Sequence, residues 1–152
     1  MRIWVDADAA PRDVKDIVSR ASLRLQLETH LVANQRLQTP ANNPLVTSIR
    51  VPGGPDVADD YIAEHAEPGD LAITADIPLA SRLVEKGIKT IDPRGTVYTS
   101  ENIGERLSVR DFMDQLRSTG VETGGPAGYG PKDKQAFASS LDRVLTRLTR
   151  GR

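Results

Sequence analysis

The chain has 152 residues, a formal net charge of −1, 38% hydrophobic residues and 4% aromatics, which predicts one domain, residues 1–152, with room for a real core. It has no cysteine, which excludes a disulfide framework, thiolate metal sites, iron–sulfur clusters and a cysteine nucleophile. With two histidines, His30 and His65, any metal has to be held by oxygen, and no apolar run reaches the roughly 18 residues of a membrane span.

Residues 2–6 read as a short buried strand, because Ile3, Trp4 and Val5 suit a packed, pleated position. Met1-Arg2-Ile3 leads directly into it rather than into a signal peptide, so a soluble, cytoplasmic chain with no membrane partner is expected. Pro11 suits a first helical turn, and Val14, Ile17, Val18, Ala21 and Leu25 follow at helical spacing. Residues 31–33 and 45–51 are the next strands, with a proline- and asparagine-rich loop over 34–44. Pro52-Gly53-Gly54-Pro55 opens a helix through Ala66 that buries Val57, Ala58, Tyr61 and Ile62. Residues 71–74 form a fourth strand, 76–86 a helix stopped by Gly87, and 88–92 a fifth strand. The remainder is helical: a short helix over 100–107, a second from the capping pattern at Ser108-Val109-Arg110-Asp111 to Gly120, a glycine-rich loop over 120–130, and a last helix from Pro131 burying Phe137, Leu141, Val144, Leu145 and Leu148. Alternating strands and helices predict an α/β fold, a doubly wound and mainly parallel sheet of about five strands with a helical C-terminal part.

Carboxylates fall where such a sheet binds ligands, outside the carboxyl ends of its strands. Asp6 and Asp8 follow the first strand, Asp76 follows the fourth, and Asp56, Asp59 and Asp60 open the helix after the third at i, i+3, i+4 spacing. Like charges brought so close repel unless a divalent cation neutralises them, and oxygen-only ligation fits Mg2+ or Mn2+. Each acid also has a plain structural role open to it. Asp8 and Asp76 precede helices as N-caps, Asp56 suits the positive end of a helix dipole, and Asp60 fits a solvated surface. Asp6 is least well explained by capping. His30 and His65 read as structural, and Gly53-Gly54 lacks the spacing of either familiar phosphate-binding motif.

The near-zero charge hides an asymmetry. Residues 132–152 carry Lys132, Lys134, Arg143, Arg147, Arg150 and Arg152 against Asp133 and Asp142, a surplus of four, which leaves the rest of the chain at −5 out of 20 basic and 21 acidic residues. This tail is either a solvated helix face or a hold on a polyanion, with Lys132, Lys134, Arg143 and Arg147 meeting nucleic-acid phosphates. Gly124-Gly125-Pro126 is a turn or a loop over substrate.

Val5-Asp6-Ala7-Asp8-Ala9-Ala10-Pro11, Gly54-Pro55-Asp56-Val57-Ala58-Asp59, Gly69-Asp70-Leu71, Thr74-Ala75-Asp76-Ile77-Pro78-Leu79-Ala80 and Gly124-Gly125-Pro126 resemble the bacterial YaiI/YqxD family, over residues 2–145. The resemblance implies a single PIN-like domain, the nuclease fold whose acidic cluster binds divalent metal and cuts RNA or DNA. It implies catalytic or metal-holding roles for Asp6 and Asp76, supported by Asp8, Asp56, Asp59 or Asp60, with RNA the expected partner; it names no protein partner. Ala10 stands where the family often has cysteine, so no thiol there is essential to this chain. Two other readings stay open. Ile3-Trp4-Val5-Asp6-Ala7-Asp8 also resembles the first motif of haloacid-dehalogenase-type phosphatases, with Asp6 the nucleophile, Asp8 the acid and Thr74 on the phosphate. The third is a nucleic-acid or nucleotide-binding module without turnover.

Overall fold

The computed structural model describes residues 1–120 and 128–150. Its sheet has six strands in the order β3-β2-β1-β4-β5-β6. These are β1 (Arg2–Asp6), β2 (Glu28–Ala33), β3 (Val46–Arg50), β4 (Leu71–Ile73), β5 (Lys89–Ile91) and β6 (Val97–Tyr98). The first five run parallel, and β6 turns back antiparallel to β5. The alternation expected of a parallel sheet is present, with one departure: β2 reaches β3 through the irregular stretch 34–45 rather than a helix. That stretch is pinned by buried Asn43, whose Nδ2 donates to the Ser19 carbonyl (2.9 Å) and whose Oδ1 accepts from the Leu45 N–H (3.1 Å).

Both faces of the sheet are covered, as the apolar strands require. Ile3, Val5, Leu31, Leu71 and Ile73 point to the face covered by α1 (Arg12–Leu25) and α5 (Pro131–Thr149), where Val14, Val18, Phe137 and Leu141 meet them. Trp4, Val32 and Ala72 point to the other face, under α2 (Val57–His65) and α3 (Ile77–Glu85), where Ile62, Leu79 and Leu83 fill the core. Asp6 shares the parity of Trp4 and so opens toward α2 and α3. Buried Asp70 ties the start of β1 to β4, its carboxylate accepting from the Arg2 N–H (2.9 Å), the Trp4 indole N–H (3.0 Å) and the Glu67 N–H (3.0 Å).

Three expectations change. The sheet gains β6, only two residues long and without an apolar run to announce it. The two helices expected over 100–120 are one, α4 (Ser100–Ser118), capped by Thr99 and Asn102 in a reciprocal box. Ser108 is not a second cap: its hydroxyl donates back to the Gly104 carbonyl (3.1 Å), and the Arg110–Asp114 pair spans the next turn. Leu148 is only partly buried at the rim of the core. Gly124-Gly125-Pro126 and Arg152 lie outside the described residues. Among the described residues no helix is long and apolar enough to cross a membrane.

Candidate functional site

Strands β1 and β4 lie side by side at the centre of the sheet, and the chain leaves them in opposite senses: β1 runs into α1 on one face, β4 into α3 on the other. This is the switch point at which an open α/β sheet leaves a crevice. Asp6 ends β1 and is 8% exposed; Thr74 follows β4 and is 1% exposed. The Thr74 hydroxyl donates to Asp6 Oδ2 (2.9 Å) and accepts from the Asp76 N–H (3.0 Å), locking the two acidic segments together. Asp76 Oδ1 accepts from the Leu79 N–H (2.8 Å), so its expected N-cap role is present, and its other oxygen remains for chemistry.

From the first turn of α2, Asp59 brings a third carboxylate to the pair. Its burial, the Asp76 and Asp6 charges, a hydrogen bond shared with Asp76 and the Asp56 charge push its carboxyl up to about 7. Asp6 is also raised, chiefly by burial and further by Asp76 and Asp8, with the Thr74 hydrogen bond pulling the other way. Three carboxylates from three separate segments thus share one crevice at a cost in charge repulsion.

The other expected acids sit at its margin or leave it. Asp8 is exposed, and its Oδ2 accepts from the Asn34 N–H (2.8 Å), holding the chain beyond β2. Asp56 takes a left-handed conformation (φ 62°) just before α2, with no capping hydrogen bond of its own. Asp60 turns away into an exposed ion pair with Arg82 (2.7 Å). Exposed pairs contribute little, so Asp60→Ala is expected to change stability by less than about 1 kcal/mol in a denaturant melt and to leave any activity of the site intact.

His30 and His65 stand apart from these acids, as expected, in an aromatic group on the α2 side: His30 lies 4.6 Å from the Trp4 ring and His65 stacks on Tyr61 at 3.9 Å. Burial lowers the His30 pKa, and its Nδ1 has no hydrogen-bond partner among the described residues.

The basic tail divides into two groups. Lys132 and Lys134 are exposed in the first turn of α5, and Lys134 Nζ lies 3.9 Å from Asp13 at the start of α1, on the carboxyl side of the sheet. Arg143 and Arg147 line a shallow recess with Ser139, Thr146 and Arg150. They lie beside Asp142, which pairs with Arg24 at the far end of α1 (3.6 Å), about 14 Å or more along the helix from Lys134.

A family model described as "Uncharacterized BCR, YaiI/YqxD family" matches residues 4–147. The chain belongs to the YaiI/YqxD family. Three relatives, each named UPF0178 protein, show how close its members lie. That of a Geobacter species is 61% identical over 150 residues, covering 99% of this chain and 97% of its own. That of Myxococcus xanthus is 56% identical (99% and 97%), and that of Pseudomonas fluorescens 52% (99% and 99%). No solved structure matches. Within this YaiI/YqxD chain, reading the residues alone gave Thr74 only a phosphate-binding role in the phosphatase alternative. The signal for its actual placement is a hydroxyl directly after an apolar strand and two residues before the acidic cap Asp76, but its partner Asp6 lies 68 residues away.

Proposed function

We propose that this YaiI/YqxD protein is a divalent-metal-dependent nuclease of PIN-like type that hydrolyses phosphodiester bonds, with RNA as the expected substrate, in the cytoplasm. The observation that carries the reading is the hydrogen-bonded run Asp6–Thr74–Asp76 with Asp59 against it, where buried like charge is left for a cation to neutralise. The donor chemistry fits Mg2+ or Mn2+, hard ions that take carboxylate oxygen. Among the described residues no three His, Cys, Asp or Glu side chains already converge as one ligand shell. That suits Mg2+, which commonly takes one or two carboxylates and fills its shell with water and substrate phosphate. Asp6 and Asp76 would hold the ion, with Asp59 joining as it gives up its proton and Asp8 and Asp56 adding negative charge at the rim. Such an ion activates water and stabilises charge building on the phosphoryl oxygens. Thr74 fixes the Asp6 carboxylate, while Lys132 and Lys134 on the same side of the sheet offset the repulsion an acidic site exerts on a polyanion. Arg143 and Arg147 extend the phosphate track along α5.

The phosphatase reading finds less support, because the Thr74 hydroxyl that would bind phosphate is buried and engaged by both Asp6 and Asp76. The test is incubation with end-labelled RNA and DNA oligonucleotides, with and without Mn2+. Shortened products are expected with metal only, and Asp76→Asn, which keeps a good N-cap, should slow cleavage by about 100-fold or more. Salt-sensitive binding without products would return the protein to a binding module.

A further inference from the structure

The outer half of α4 is built inside out. α3 is the main element packed against α4. The two run antiparallel: Ser100 and Glu101 lie beside Val84 and Gly87, and Ile103 packs with Ala80 and Tyr98. At the helical rise, α3 runs out at Ile77, abreast of about residue 107. Residues 108–118 therefore continue past the carboxyl edge of the sheet. A lone helix of about that length is marginal in water without tertiary packing. Its apolar residues Val109, Phe112, Met113 and Leu116 recur at i, i+3, i+4, i+7 and form one stripe. Ile103 faces α3, and Phe112, nine residues or about two and a half turns on, lies on the opposite side, away from the protein body. Val109 and Phe112 are 56% and 58% exposed. The charges sit on the other side and satisfy one another, through Arg110 with Asp111 (3.3 Å) and Asp114 (3.4 Å), and Arg117 with Asp114 (2.7 Å).

We propose that this stripe is a dimerisation face that pairs antiparallel with the same segment of a second copy of the chain. The occupant follows from the pattern. Across a two-fold axis between Phe112 and Met113, Val109 meets Leu116 and Phe112 meets Met113, so every large apolar residue lands on another. At the flanks Glu105 meets Gly120 and Ser108 meets Arg117, so no charge at the seam meets its own sign. Such a self-complementary patch is what an isologous contact requires. Four side chains a protomer fall short of the roughly 1,200 Å² of a standard interface, so the dimer is weak and concentration-dependent.

Sedimentation over about 1–200 µM tests this, the range in which an association of micromolar strength is read. The mass should climb from 16.5 kDa toward twice that value. Phe112→Glu should hold the protein monomeric with an unchanged melt at low concentration. The register is tested with two double variants, Val109→Lys with Leu116→Lys and Val109→Glu with Leu116→Glu, each monomeric alone and re-associating when mixed. A wild type that stays monomeric throughout, a dimer indifferent to Phe112→Glu, or variants that fail to re-associate would overturn the proposal.

Discussion

Gly95→Ala is expected to destabilise the fold by about 3 kcal/mol, lowering the melting temperature by roughly 6–12 °C for a chain of this size. Gly95 ends the turn between β5 and β6, where Asp92 Oδ1 accepts from the Arg94 and Thr96 N–H groups (2.8 and 3.2 Å) and the Gly95 N–H donates to the Asp92 carbonyl (3.0 Å). Its φ of +95° already disfavours any L side chain. A methyl group there would stand 2.7 Å from the backbone C and O of Ala136, so α5 itself has to move. The same helix is held to this turn by Ser140 Oγ donating to the Gly95 carbonyl (2.6 Å) and by the Arg94–Asp133 pair (3.0 Å). The strain therefore reaches Phe137 and Leu141, which fill the core beneath. Gly104→Ala is the control: Gly104 lies inside α4 with open space around it, and alanine there should raise stability by up to about 1 kcal/mol. Thermal melts of the two variants should move in opposite directions; a Gly95→Ala protein melting with wild type would mean that the turn does not seat α5.

The parts of this molecule legible in its sequence are those governed by local chemistry. Ile3-Trp4-Val5 and Leu71-Ala72-Ile73 carry their strand identity in a few apolar residues, and Asp76 announces the cap it makes. Spacing also put Asp56, Asp59 and Asp60 near one helical face, and here it misled. Asp56 stands outside α2 in a left-handed conformation, and Arg82, 22 residues away, draws Asp60 outward. Only Asp59 enters the crevice. Whether a carboxylate works or merely caps depends on neighbours that arrive from remote segments, as Thr74 does for Asp6, and no local pattern encodes that meeting. The missed β6 and the continuous α4 share one cause: a two-residue pairing and a serine already bonded to its own helix give signals weaker than the tertiary context that settles them.

Asp59→Asn is expected to stabilise the metal-free protein near pH 7.5 and to leave its stability near pH 4 unchanged. The sign follows from where the proton sits. The folded state holds the Asp59 carboxyl up to about 7, against 3.8 as the model value, so between pH 4 and 7 the folded chain binds a proton that the unfolded chain has lost. Wild-type stability from this group is therefore full below about pH 4, declines as pH rises through the window and levels off above 7. Asparagine keeps the shape and carries no charge to be forced beside Asp76 and Asp6, so the variant escapes the decline. Raised Asp6 pushes the same way, whereas His30, buried and lowered from 6.5, loses stability as pH falls; both remain in the two proteins and cancel in the difference. Melting temperatures from pH 4 to 8 should thus coincide at the acid end and separate, variant above wild type, toward pH 7. Adding Mn2+ should close the gap from below, because a cation takes over the neutralisation that the proton supplied and raises wild type more than the variant. Parallel curves, or a variant less stable than wild type at pH 7.5, would mean that Asp59 is ionised in the folded chain and that the crevice carries no uncompensated charge for a metal to meet.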